Sequence, residues 1–215
     1  MSGRRTLVKM CGCTSPADAA LALAAGADAI GVVLAERSER RVTLERLREI
    51  AASLPALTPL VAVLTDPPSP LVDEVLKAGA IPQFHGDEPA DACEAFAEGP
   101  YIKAVHVDPR RDYTDGAFAA QMAAYAHATW LFDTARSGGG SGGTGRTFPW
   151  EIAPRLAGNR PFIVSGGLTP ENVGACVRQV RPYAVDVRSG IETNGVKDAS
   201  KMHAFVAAVR AAADT

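Results

Sequence analysis

Short apolar runs alternate along the chain with longer stretches in which alanine, leucine and valine recur at helical spacing. The runs Leu7–Met10, Ala29–Leu34, Leu60–Leu64, Ile81–Phe84, Tyr101–Val105, Thr129–Phe132, Phe162–Val164 and Ala184–Val187 read as eight strands. Helices are predicted to begin near Pro16, Leu44, Pro70, Pro89, Gly116, Pro149, Pro170 and Ala199. Pro16, Pro89 and Pro170 suit the first turn of a helix, where the N–H that proline lacks would have no partner. Ser15 and Thr169 precede two of them and are N-cap types, since a short side-chain oxygen can accept from the first free amides.

Eight strands alternating with eight helices imply a parallel sheet. In 215 residues they fit one α/β domain over 1–215, a parallel eight-stranded (βα)8 TIM barrel. The competing open, doubly wound sheet would carry fewer strands and a GxGxxG first turn. The turn here is Met10-Cys11-Gly12-Cys13-Thr14. Residues 136–146, RSGGGSGGTGR, break the rhythm. The repeat continues unchanged on both sides, so a flexible loop after the sixth strand is expected rather than an interdomain linker.

Charge narrows the partners. The net charge is −2 and the lysines and arginines are dispersed, which argues against nucleic acid. No window approaches the roughly 20 apolar residues of a membrane span, and the basic start, Met1 to Arg5, is not followed by the apolar run of a signal peptide. Cys11, Cys13, Cys93 and Cys176 form neither a CxxC pair nor a zinc-like cluster. Free thiols in a reducing cytoplasm follow, with no metal. No long apolar face stands out, and a monomer is expected.

A barrel places its reactive groups at the C-terminal ends of its strands. Those ends carry Cys11, then Arg37, Arg40 and Arg41, then His85, His106 and Asp108, and Asp133. The last two run into Ser165-Gly166-Gly167 and Arg188-Ser189-Gly190. Small Gly-containing loops at strands seven and eight, the first leading to a helix N-terminus, suit a phosphate. Cys11 and Asp133 are the candidate acid/base pair. A thiol is a poor base at neutral pH unless a cation favours its thiolate. Lys9 shares the face of Cys11 on an extended strand, and Asp186 on the neighbouring eighth strand is its expected partner. Lys9 is therefore expected to bias Cys11 toward thiolate. Cys13 reads as a small core residue. The residues alone lead to an enzyme acting on a small phosphorylated ligand by acid/base chemistry.

The ordered motifs are more specific than any one of them. Val8-Lys9-Met10-Cys11-Gly12 with Thr14, Ala25 to Gly31, Arg37-Ser38-Glu39-Arg40-Arg41-Val42, Gln83-Phe84-His85-Gly86, Leu131-Phe132-Asp133-Thr134 and Gly142 to Trp150 resemble the phosphoribosylanthranilate isomerase family of tryptophan biosynthesis. So do Val164 to Val173, and Val185-Asp186-Val187 with Ser189-Gly190, Glu192 and Gly195 to Asp198. The resemblance implies a cofactor-independent, metal-free Amadori rearrangement of an aminosugar phosphate. It makes Asp133 the general acid that opens the ribose ring, suitably kept partly protonated, and Cys11 the base that removes the C2 proton. It puts Arg40 against the anthranilate carboxylate and Gln83 and His85 against substrate. The phosphate falls to Gly142, Gly143, Ser165, Gly166, Gly167, Arg188, Ser189 and Gly190. The long glycine-rich loop, Pro82, Pro149 and Arg188 depart from the family pattern. A histidine-pathway isomerase with an aspartate in place of Cys11, a secondary-metabolic enzyme of the same chemistry, and a silent phosphate-binding barrel are the alternatives.

Overall fold

Each apolar run pairs with the next in parallel, and the eighth pairs with the first, closing a barrel. The computed structural model describes residues 5–96, 99–113, 116–134 and 147–213. The strands are β1 Leu7–Met10, β2 Ala29–Val33, β3 Leu60–Leu64, β4 Ile81–Phe84, β5 Tyr101–Val107, β6 Ala128–Thr134, β7 Phe162–Val164 and β8 Ala184–Val187. The helices are α1 Pro16–Ala25, α2 Leu44–Ser53, α3 Ser69–Lys77, α4 Ala90–Glu94, α5 Ala117–Ala123, α6 Ile152–Ala157, α7 Val173–Val180 and α8 Ala199–Ala213. Among the described residues, no helix is long and apolar enough to cross a membrane. The 136–146 stretch, expected to be a loop, lies outside the described residues.

Strand periodicity sorts the core. Successive residues point to opposite faces, and one buried cluster gathers Val61, Ile102, Ala104, Leu131, Ile163 and Ala184, with Leu7 and Ile81 against it, inside the barrel. Two residues further along the same strands, most inward positions become polar, Lys9, Gln83, His106, Asp133, Ser165 and Asp186, while Val63 on β3 stays apolar. The inside of the barrel thus changes from apolar at its N-terminal end to polar at its C-terminal end. The outward positions, Val8, Met10, Ile30, Val32, Trp130 and Phe132 among them, join the helices in the larger core.

Two strands outrun the apolar pattern. Polar His106 and Asp133 mark the expected ends of β5 and β6, yet the ladder continues through His106↔Asp133 to Val107↔Thr134. Backbone hydrogen bonding does not require an apolar side chain, and both residues are held on strands rather than loops. At helix onsets, Ser15 Oγ accepts from the Asp18 amide (3.1 Å), as an N-cap should. Thr169 Oγ accepts from the Glu171 amide (3.3 Å), but in a turn ahead of the helix. The chain from Thr169 to Asn172 makes a turn, closed by Thr169 N–H donating to Asn172 Oδ1 (2.8 Å), and α7 starts only at Val173. Pro170 therefore precedes the helix. Likewise, α6 begins after Pro149, at Ile152, and Pro89 stands just outside α4.

After β8 the chain makes a 3-10 turn at Ser189–Ile191 and a two-stranded hairpin, β9 Glu192–Thr193 with β10 Val196–Lys197. Asn194 and Gly195, at φ 50° and 74°, form its turn. An Asn-Gly pair is the usual sequence of such a turn, because both residues tolerate positive φ.

Candidate active site

Cys11 sits just beyond β1, its amide bonded to the Val187 carbonyl (2.8 Å) and its own carbonyl accepting from Lys197 Nζ (2.6 Å). Two residues before it, Lys9 Nζ lies 2.7 Å from Asp186 Oδ1. Ser165 Oγ donates to the other oxygen of Asp186 at 3.2 Å. Room for the thiol beside the lysine comes from Gly31. A Cβ there would stand 2.9 Å from Cys11 Sγ and 3.1 Å from Lys9 Cε. The interior Lys9–Asp186 pair is thus as the strand order suggests. Its effect on Cys11 has the expected sign but not the expected outcome. Burial pushes the Cys11 thiol up, and this outweighs the opposing pull of Lys9, Lys197 and Arg188. The free protein holds a thiol, not a thiolate.

Asp133 faces inward from β6. Its Oδ2 lies 3.3 Å from His85 Nε2, and its Oδ1 accepts from the Thr134 amide (2.7 Å). Burial would raise the carboxyl, but the hydrogen bond and charge of His85, with help from His106, hold it below the ordinary carboxylate range. The expectation of a partly protonated Asp133 is therefore corrected for the free protein: the carboxyl is ionised. Gly166, at φ 85°, packs against it so closely that a Cβ would overlap Asp133 Oδ1. His85 is oriented from its other side, with Nδ1 3.1 Å from Gln83 Nε2.

At the cationic side of the mouth, Arg40 Nη2 lies 3.0 Å from Glu192 Oε1, which also takes Lys197 Nζ at 3.0 Å. Arg188 leans over Gly12, where a Cβ would come within 3.0 Å of Arg188 Cγ and 3.7 Å of Arg40 Cγ. Its side chain thus lies toward Arg40 and Cys11. Next to it, the β7 and β8 loops touch: a Cβ on Gly190 would overlap the Leu168 carbonyl. Gly166 and Gly167 follow one another at positive φ, 85° and 63°. Ser165 cannot join them as a donor. Its amide bonds Phe132 O (2.8 Å) and its hydroxyl bonds Asp186. Gly142 and Gly143 lie outside the described residues.

Cys11, Asp133, Arg40, Gln83 and His85 are thus brought to one end of the barrel, with Gly166, Gly167, Ser189 and Gly190. Arg37 and Arg41 are exposed, Asp108 pairs with the exposed Arg110 (2.9 Å), and Cys13 is fully buried in the core. Glu192 and Lys197 have no assigned role in the sequence expectations. The signal available for them is the Asn194-Gly195 turn, which folds both back onto the mouth.

Fold and strand-end groups define a (βα)8-barrel enzyme. A profile of N-(5'phosphoribosyl)anthranilate (PRA) isomerase matches residues 8–208, and the chain belongs to that family. It is 43% identical over 206 residues, 94% of each chain, to an N-(5'-phosphoribosyl)anthranilate isomerase of Pseudomonas aeruginosa. Among solved structures, it resembles the phosphoribosyl anthranilate isomerase of Thermus thermophilus (TM-score 0.81, 36% identity, covering 96% of this chain and 99% of that one). It also resembles a phosphoribosyl anthranilate isomerase bound to reduced 1-(o-carboxyphenylamino)-1-deoxyribulose 5-phosphate (TM-score 0.80, 33% identity, the same coverage).

Proposed function

We propose that the protein isomerises N-(5-phosphoribosyl)anthranilate to 1-(2-carboxyphenylamino)-1-deoxyribulose 5-phosphate, with Asp133 as general acid and Cys11 as general base. The observation that carries this is the convergence of Cys11 and the His85-bound Asp133 inside one barrel mouth, in a chain of the isomerase family. The acid donates its proton to the ribose ring oxygen as the C1–O bond breaks, and the nitrogen lone pair forms the iminium. The iminium acidifies C2, so a thiolate suffices to take that proton. The resulting enolamine tautomerises to the ketone.

Proton inventory follows from the free state. Thiol plus carboxylate holds the same single proton as thiolate plus carboxyl. The working form is therefore the minor arrangement of one protonation level. Substrate favours it at the acid, because excluding water from Asp133 adds to the burial that already raises the carboxyl. Lys9, Lys197 and Arg188 favour it at the base.

Arg40 takes the anthranilate carboxylate, where a guanidinium can make two parallel hydrogen bonds. Gln83 and His85 contact the reacting sugar. The amides of Gly166, Gly167, Ser189 and Gly190, with Gly142 and Gly143, take the phosphate, and Arg188 adds charge to the mouth. The protein acts as a single cytoplasmic domain and a monomer. Its four cysteines are all free, and among the described residues the exposed large apolar side chains, Leu21, Leu57, Leu76, Tyr183 and Val196, lie on separate elements. Generating the labile substrate in situ and following loss of its fluorescence tests the activity. Turnover is expected, and a substrate decaying only at its spontaneous rate would refute it.

A further inference from the structure

His85, His106 and Asp133 each offer a ligand atom within 4.8 Å of the other two. They come from three consecutive strands. Asp133 and His106 are direct register partners on β6 and β5, and His85 follows β4 with its amide tied to the Leu64 carbonyl (2.9 Å). Strand residues of a barrel hold their spacing, so the set is preorganised. We propose that this triad is a binding site for a borderline divalent transition metal such as Zn2+, and that occupying it switches the enzyme off.

Two imidazoles and one carboxylate are a donor set for Zn2+, at metal–nitrogen and metal–oxygen distances of about 2.0–2.2 Å. The 3.3 Å between His85 Nε2 and Asp133 Oδ2 is about the span of two ligands on one tetrahedral ion. The outer shell is also in place. A ligating histidine commonly gives its second ring N–H to a carbonyl or carboxylate, which fixes the ring and its tautomer. His106 Nε2 lies 3.1 Å from the His85 carbonyl, which holds the ring in place. His85 Nδ1 lies against the amide of Gln83, a side chain that is 1% exposed and whose Oε1 has no hydrogen-bond partner. Turning that amide over gives Oε1 the proton of His85 Nδ1 and releases Nε2 to coordinate. One rotation satisfies a buried acceptor and completes the ligand.

Inhibition rests on Asp133 being the acid, because a metal-bound carboxylate cannot carry the proton that opens the ring. Binding does not rest on it. Co2+ is therefore titrated into the full chain, wild type and His106→Asn, and read by the visible absorption that a low-symmetry Co2+ site gives. Turnover is followed in parallel with Zn2+. Expected are one equivalent of Co2+ displaced by Zn2+, affinity lowered at least ~10-fold in His106→Asn, and turnover lost at the same midpoint and restored by EDTA. No stoichiometric Co2+ signal, or a thiolate-to-cobalt charge-transfer band placing the ion on Cys11, overturns the site. Zn2+ bound at the triad with turnover intact overturns the switch and, with it, the role of Asp133.

Discussion

Lys9 and Asp186 are register partners on neighbouring strands, and their side chains meet inside the barrel at 2.7 Å with each less than a tenth exposed. The pair sits directly beneath Cys11. Removing one partner of a buried pair leaves an uncompensated charge, which costs about 3–5 kcal/mol. Lys9→Met is expected to lose stability at the lower end of that range, since Ser165 still bonds Asp186. Urea unfolding measures it. The same variant is expected to raise the Cys11 thiol further, because Lys9 is the largest influence pulling it down. Thiol reactivity followed against pH would show the shift, and an unmoved titration would mean that Lys9 does not tune the base.

Gly166 packs the loop after β7 against Asp133. Its positive φ costs other residues of order 1–3 kcal/mol, and a Cβ would also strike the Asp133 carboxylate. Gly166→Ala should therefore lower kcat more than a comparable loss of stability at a remote site. Thermal unfolding and steady-state kinetics on one preparation separate the two effects. Full kcat with reduced stability would place Gly166 in the fold alone.

Much of this was legible beforehand, for identifiable reasons. Eight apolar runs bounded by turn residues fix the barrel, because strand period and strand order together decide which residues face inward. Cys11, Asp133 and the Lys9–Asp186 pair follow from that parity. Protonation was not legible. Burial of Cys11, and the approach of His85 to Asp133 across two strands, depend on side-chain packing that no linear spacing reports. Thr169 and Asn172 exchange hydrogen bonds within a turn, Thr169 Oγ taking the Glu171 amide and Asn172 Oδ1 the Thr169 amide, and α7 starts only after it, a boundary shift that residue type alone does not report. The Glu192–Arg40 contact needed the hairpin built around Asn194-Gly195, a short-range signal that the strand–helix rhythm obscures.

Protonation of the free protein sets its pH dependence. Asp133 is held below the ordinary carboxylate range and Cys11 above the ordinary thiol range. The proposed working arrangement holds one proton on the pair, so its fraction is small but constant between the two titrations. kcat/KM, which reports the free enzyme, is expected to be flat from about pH 5 to 8 and to fall only beyond the ordinary values of ~3.9 and ~8.5. Stability follows the same groups. Asp133 stabilises above its unfolded value, and that contribution is lost as pH falls through its lower folded value. The buried Cys11 thiol stabilises below its unfolded value, and that contribution is lost as pH rises toward its higher folded value. A narrow bell centred on neutrality would contradict this protonation scheme.

The division of labour between Cys11 and Asp133 is tested most directly by turnover of in-situ substrate by wild type, Cys11→Ala and Asp133→Asn, each verified as folded by its unfolding transition. Each variant is predicted to lose at least ~100-fold in kcat, the low end of a general acid or base contribution. Rates within a few-fold of wild type in either variant would remove that residue from the chemistry and contradict the assignment.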